Sequence, residues 1–317
     1  LGRDVNLANE VVVGDPEINR RAQHLDHLCH LFVARHLPSA GHLRFVSSVL
    51  RVGKTLERIG DYSETISRAT ARLEKSVPEE VASDVEMLGN HAQELLGQSL
   101  EHFGERNSEG ARSTIAMCGQ FGATFDKVFS DLTRVGRNGT HSVEDLFLLM
   151  ATCNRLERII HQAKNICQQT IFLATGETKE DKTYSVLFVD AEDSGLARLA
   201  CASTAKGWPG AGEFVSASFS PGSPSDSFQG FAKERSLDIE GVPRLSFEQA
   251  VARLSDFDII LDLSSGGFPL QSQRLPFHTT LLTWKLEGEA DPATAYKDLS
   301  PRISQLMERL RGDDGEG

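Results

Sequence analysis

The sequence predicts a multidomain chain of two fold classes in series. Residues 1–176 read as all-α, a pair of three-helix bundles, and residues 183–311 as α/β with a parallel four-stranded sheet. Three observations predict this. Apolar residues up to Gly176 recur at three-and-four spacing, as Val46, Val49, Leu50, Leu56, Ile59 and Ile66 do. The stretch Leu56-Glu57-Arg58-Ile59 returns about 100 residues later as Leu156-Glu157-Arg158-Ile159, so the helical part is internally repeated. Beyond the charged stretch 177–182, short β-rich runs alternate with helical segments.

In the helical part, residues 3–36 form one helix, with Gly14-Asp15-Pro16 marking a kink or a fresh start. Residues 39–75 form the next helix, and Pro78-Glu79-Glu80 opens a third that runs to about Phe103. A fourth spans Ala111 to Val135 and stops at Gly136-Arg137-Asn138-Gly139; a fifth runs from Ser142 to Gly176. The repeats are about 1–76 and 77–176, followed by the linker 177–182.

The α/β part offers strands at Tyr184–Val189, Glu213–Ser218, Asp258–Leu263 and His278–Leu286. Helices are expected after the first strand, at Phe228–Ser236, at Phe247–Leu254 and at Pro292–Arg311. Gly312–Gly317 reads as a disordered acidic tail.

The 317 residues suit two domains, and 39% hydrophobic with 25% charged is ordinary for a globular protein. The net charge of −12 argues against nucleic acid or an anionic membrane surface as partner. From residue 177 on, 14 Lys+Arg face 23 Asp+Glu, so −9 of that charge lies in the α/β part. Five scattered cysteines without a CxxC indicate neither a disulfide framework nor a zinc ribbon. No apolar run approaches the ~20 residues that span a bilayer, and no signal peptide is visible. A cytoplasmic protein is expected.

The chemistry centres on Glu57 and Asp61, one helical turn apart on one face, with Gly60 between them. Two like charges so placed persist more easily beside a cation or a partner helix. Counting outward from the turn at Pro38-Ser39, Asp15 matches Asp61 in height and Asn19 matches Glu57. Metal ligands are therefore expected at Asp15, Asn19, Glu57 and Asp61. In the second repeat Glu157 is kept and the next acid becomes His161. Near Cys118 that weaker site is either lost or suited to a softer metal. His24, His27 and His30, with Asp26 and Cys29, lack convergent zinc spacing and are read as facing solvent or a partner.

Gly14-Asp15-Pro16-Glu17-Ile18-Asn19, Asp26, Cys29, Pro38, Leu43-Arg44, Leu56 to Asp61, Asn165-Ile166-Cys167 and Gly176 carry a resemblance to the PhoU family of phosphate-uptake regulators. That family's repeats are three-helix bundles, so the resemblance implies that the first helix is missing here. It further implies a carboxylate-bound metal (iron, zinc or magnesium). It implies contact with the phosphate ABC transporter and its sensor histidine kinase, homo-oligomers such as a dimer, and negative control of phosphate-responsive genes. Membrane association would then arise only through partners. The absence of a glycine-rich cradle or arginine cluster in 1–176 argues that phosphate is not the direct ligand.

Val186 to Val189, Ser216-Ala217, Leu237-Asp238-Ile239 through Arg244-Leu245, Asp258 to Leu261 and Asp291-Pro292 resemble the low-molecular-weight tyrosine phosphatase and arsenate reductase family. Against that pattern, Asp190 stands in the nucleophile's place and Leu196 in that of the phosphate-binding arginine. The loop Asp190, Glu192, Asp193, Ser194 then reads as a degenerate phosphatase loop: three acids with no base before Arg198, no catalytic residue, a pseudophosphatase. The competing expectation is a metal-dependent phosphoester-cleaving enzyme, or a response-receiver module built on Asp258 to Leu263.

Overall fold

The computed structural model describes residues 4–119, 122–178, 183–220, 222–264, 275–276 and 278–311, with no side-chain account at 122–123 and 311. The chain divides into two compact units, Leu1–Lys179 and Glu180–Gly317. The expected tail at 312–317 and most of the expected linker lie outside the described residues.

The helical unit comprises α1 (Val5–His36), α2 (Ala40–Arg72), α3 (Glu79–Glu105), α4 (Ser108–Cys118), α5 (Gly122–Asn138) and α6 (Val143–Thr175). Asp4 caps α1 by accepting the Leu7 N–H at 3.0 Å. The helix continues through Pro16, as the single helix expected over residues 3–36, with no fresh start at Gly14-Asp15-Pro16. Packing along α2 outweighs the one backbone bond that the proline removes. The expected helix Ala111–Val135 is instead two, α4 and α5. Gly119 and Gly122 flank the break, each costing roughly 1 kcal/mol of helix propensity relative to alanine.

The long helices α2 and α6 pack together through the repeated motif. Ile59 and Ile159 belong to one apolar cluster with Val52, Leu95, Ile160 and Ile166, and Leu56 and Leu156 lie against it. The apolar letters of each Leu-Glu-Arg-Ile copy thus face the shared core, while Arg58 and Arg158 stay exposed. A second cluster of Val81, Leu88, Phe125, Val128, Leu132 and Leu149 closes the other repeat.

The α/β unit comprises β1 (Tyr184–Asp190), α7 (Leu196–Gly207), β2 (Gly212–Ser218), α8 (Asp226–Glu234), β3 (Arg244–Ser246), α9 (Phe247–Ala252), β4 (Ile259–Asp262), β5 (Thr280–Thr283) and α10 (Pro292–Arg311). Among the described residues the sheet has five strands in order β3-β2-β1-β4-β5, and every pairing is parallel. The expected count of four is corrected by the edge strand β3, whose three residues are too short for a periodic signal.

Strand residues alternate between two layers. Val186, Phe188 and Leu261 face α7, α8 and α10 through Leu199, Phe228 and Met307. Leu187, Val189, Val215 and Ile260 face the other way, onto Ala250 and Phe257. Burial on both faces explains why these strands read as continuous apolar runs. A receiver domain places one strand outside β1, in the order 2-1-3-4-5. Here two strands lie on each side of β1, so the receiver alternative is overturned by topology.

Candidate functional site

Asp15 on α1 lies against Gly60 of α2, with Asp61 next in the chain and Glu57 one turn earlier. The buried residues of α1 are Ala8, Asp15 and Cys29, a single stripe at multiples of seven. Asp15 therefore occupies a position that the pattern reserves for an apolar residue. Opposite it, α2 presents Gly60. A Cβ at Gly60 would sit 3.3 Å from Asp15 Oδ1 and from Ile18 Cδ1. One heptad earlier, a Cβ at Gly53 would come within 2.9 Å of Leu25 Cδ2. Two glycines thus let the helices approach closely.

Asn19 Nδ2 donates to Asp15 Oδ2 at 2.9 Å. Asp15 Oδ1 and Asn19 Oδ1 are shielded from solvent and have no hydrogen-bond partner. Loss of solvent, then the charges of Asp15 and Glu57, raise the Asp61 carboxyl above its ordinary range. Glu57 pairs with Lys54 on its own helix. Carboxylate and amide oxygens of this kind are donors that a hard cation takes. Among the described residues, no three His, Cys, Asp or Glu side chains lie close enough together to hold a metal ion. The level matching foreseen from the turn brings Asp15 to the height of Gly60 and Asp61. Asn19 acts on Asp15 rather than pairing with Glu57.

In the second repeat Glu157 is half-buried and His161 exposed. Cys118 is buried in the α2–α6 cluster, and burial pushes its thiol upward. His30 bonds the Asp26 carbonyl at 2.9 Å and, like His24 and His27, is exposed.

In the α/β unit the C-terminal end of β1 leads into a tight loop. Asp190 is 3% exposed, and its carboxylate accepts the Asp193 and Ala197 N–H groups, each at 3.1 Å. Burial pushes its carboxyl up to about 6, opposed by those two bonds. Asp193 has φ of 49° and is also 3% exposed. Arg198 donates to both of its oxygens at 2.8 and 2.7 Å, and Arg244 approaches at 2.5 Å. Glu192 is exposed and Ser194 half-buried. Counting charges along the loop missed these arginines: Arg198 reaches back from α7, and Arg244 comes from β3. The expected bare negative cluster is therefore corrected, since two of its three acids are satisfied within the protein.

The fold and donor set define a twice-repeated helical bundle with carboxylates on its long helices, followed by a parallel α/β unit. Residues 1–70 match the family model described as PhoU domain. The phosphate-specific transport system accessory protein PhoU homolog of Clostridium acetobutylicum is 24% identical over 176 residues, 55% of this chain and 80% of that protein. The crystal structure of PhoU from Pseudomonas aeruginosa overlays with a TM-score of 0.53 at 25% identity, covering 55% of this chain and 84% of that one. The helical unit is thus PhoU-like. An arsenate reductase in the phosphate binding state covers 40% of this chain and 99% of its own, at 18% identity and a TM-score of 0.33. At that score the class of the α/β unit rests on its own strand order.

Proposed function

We propose that this chain is a PhoU-type accessory regulator of phosphate transport, acting in the cytoplasm through protein–protein contacts. The observation that carries the reading is the PhoU match of residues 1–70, within a unit whose two long helices repeat one motif. Its partners are the phosphate ABC transporter and the sensor histidine kinase, with a homodimer as the acting form. Its effect is negative control of phosphate-responsive genes. Exposed Leu28 and Phe32 on α1, with Leu43 and Phe45 on α2, supply apolar surface suited to docking. No helix among the described residues is long and apolar enough to cross a membrane.

A metal ion (iron, zinc or magnesium) would be held by Asp15, Asn19 and Asp61, and by Glu57 in competition with Lys54. It would supply positive charge that neutralises the carboxylates and ties α1 to α2. We read the α/β unit as a binding module without turnover. Asp190, in the nucleophile's place, is engaged by two amide N–H groups.

Deleting the gene in its host and measuring phosphate-responsive transcription tests the regulatory reading. Derepression in high phosphate, reversed by the wild-type chain, is expected; unchanged transcription would overturn it. For the α/β unit, the full chain should not turn over aryl phosphate or arsenate, with or without Mg²⁺. Turnover abolished by Asp190→Ala would show a working enzyme.

A further inference from the structure

The repeat of α2 in α6 extends beyond Leu-Glu-Arg-Ile. Ile66, Thr70 and Leu73 return at the same offset as Ile166, Thr170 and Leu173. The two copies do not pack alike. Ile166 and Thr170 are fully buried, whereas Ile66 and Thr70 are only half-buried. Beside the looser copy lies a cavity of about 320 Å³ between α2, α3 and α6. Ile66 and Leu73 of α2, Val85 of α3, and Leu149 and Leu156 of α6 form its apolar wall. Leu73, Val85 and Leu149 belong to one apolar cluster, while Ile66 and Leu156 pack on the cluster shared by α2 and α6. The cavity therefore lies where the two clusters meet. Gly89 of α3 lines it too, and a Cβ there would meet nothing within 4 Å. Glycine is unfavourable inside a helix, so this open space is kept at a cost to α3.

We propose that this cavity binds a small hydrophobic amine, with its apolar body inside and its ammonium group at the mouth beside Glu86. The polar groups of the rim set the charge of the ligand. Thr70 donates its hydroxyl proton to the Ile66 carbonyl and Thr152 to the Leu148 carbonyl, each at 2.9 Å, so both oxygens are left as acceptors. Glu86 lines the cavity, is exposed and makes no ion pair among the described residues. Asn90, one turn further along α3, adds an amide that serves either a donor or an acceptor. None of the lining side chains is basic. An ammonium group meets acceptors and one negative charge there, whereas a carboxylate meets repulsion. The size fits as well. A cavity of roughly 150 Å³ takes benzene, so this one has room for an aromatic ring and a short chain. The proposal stands apart from the regulatory reading of the helical unit and from the carboxylates of the α1–α2 hairpin.

Both tryptophans, Trp208 and Trp284, lie in the α/β unit against its core, so calorimetry rather than their fluorescence reads this site in the full chain. Phenylbutylamine would be titrated against phenylbutanol and phenylbutanoate, three probes of one shape and different charge. The amine should bind saturably at one site, about threefold or more tighter than the alcohol, the scale of a partly exposed ion pair. The carboxylate should bind weakest. Glu86→Gln should remove the advantage of the amine and leave the affinity of the alcohol unchanged. Gly89→Leu puts a side chain into the open space and should weaken amine and alcohol alike by about tenfold or more. No saturable heat, or an amine no tighter than the alcohol, would overturn the proposal. So would full affinity in Gly89→Leu, which would put the probe elsewhere. Heats that vanish as the protein self-associates at higher concentration would mean that a second copy fills the cavity, and would equally overturn it. Circular dichroism checks that both variants keep their helices. Should Gly89→Leu fail to fold, the exposed Glu86→Gln still decides: a retained preference for the amine refutes the site.

Discussion

Asn19 Nδ2 donates to Asp15 Oδ2 at 2.9 Å across one turn of α1, while the remaining oxygen of each group is shielded from solvent and unpartnered. A buried carboxylate in that state costs free energy unless something positive meets it. Purified without chelator, the wild type should carry a stoichiometric metal by elemental analysis. The Glu57→Ala/Asp61→Ala double variant should carry none. Equal metal content in the two proteins would refute the site. Asp15→Asn should stabilise the metal-free protein, because it removes a buried charge; a lower melting temperature than wild type in chelator would count against that account.

Gly60→Ala gains roughly 1 kcal/mol of helix propensity. It also places a Cβ 3.3 Å from Asp15 Oδ1 and Ile18, tighter than ordinary packing. The two effects should nearly cancel in stability, within about 1 kcal/mol. Metal uptake should fall, because the methyl group fills the space beside the orphaned oxygen. Wild-type metal content in a folded Gly60→Ala protein would place the ion elsewhere.

Burial raises the Asp190 carboxyl from 3.8 to about 6 in the folded unit. A raised folded pKa means the folded state binds the proton more readily than the unfolded state. This group's contribution to stability is therefore full below the unfolded value and is lost as pH rises through about 6. Between about pH 4 and 7 the wild type should lose on the order of 3 kcal/mol from this group. Asp190→Asn should lack that component, so the wild type should lose stability relative to the variant as pH rises through about 6. Urea melts followed by tryptophan fluorescence at pH 5 and pH 7.5 measure it; a gap independent of pH would rule the assignment out.

Leu88 on α3 is fully buried in the cluster with Val81, Val128 and Leu132. Leu88→Ala should cost about 2–5 kcal/mol. Chemical denaturation followed by far-UV circular dichroism reads this unit, since both tryptophans lie in the other. A loss below about 1 kcal/mol would mean that the cluster is loosely packed.

Much of the architecture was fixed by local pattern. The three-and-four spacing determined the long helices, the repeated Leu-Glu-Arg-Ile marked the duplication, and the apolar runs marked four of the five described strands. Turn counting also placed Asp15 near Asp61, because two straight helices leaving one turn rise at the same rate. The tertiary structure decided what depends on contacts distant along the chain. β3 is a strand because three residues near Arg244 meet the edge of β2, a pairing with no periodic trace. Gly60 meets Asp15 across the α1–α2 hairpin, so the buried carboxylate of α1 lies against α2. The loop after β1 counts as three acids in sequence. In space it is a satisfied ion cluster, because Arg198 and Arg244 reach Asp193 from a helix and a strand. Hydrophobic periodicity is a property of neighbours along the chain, whereas charge compensation belongs to neighbours in space.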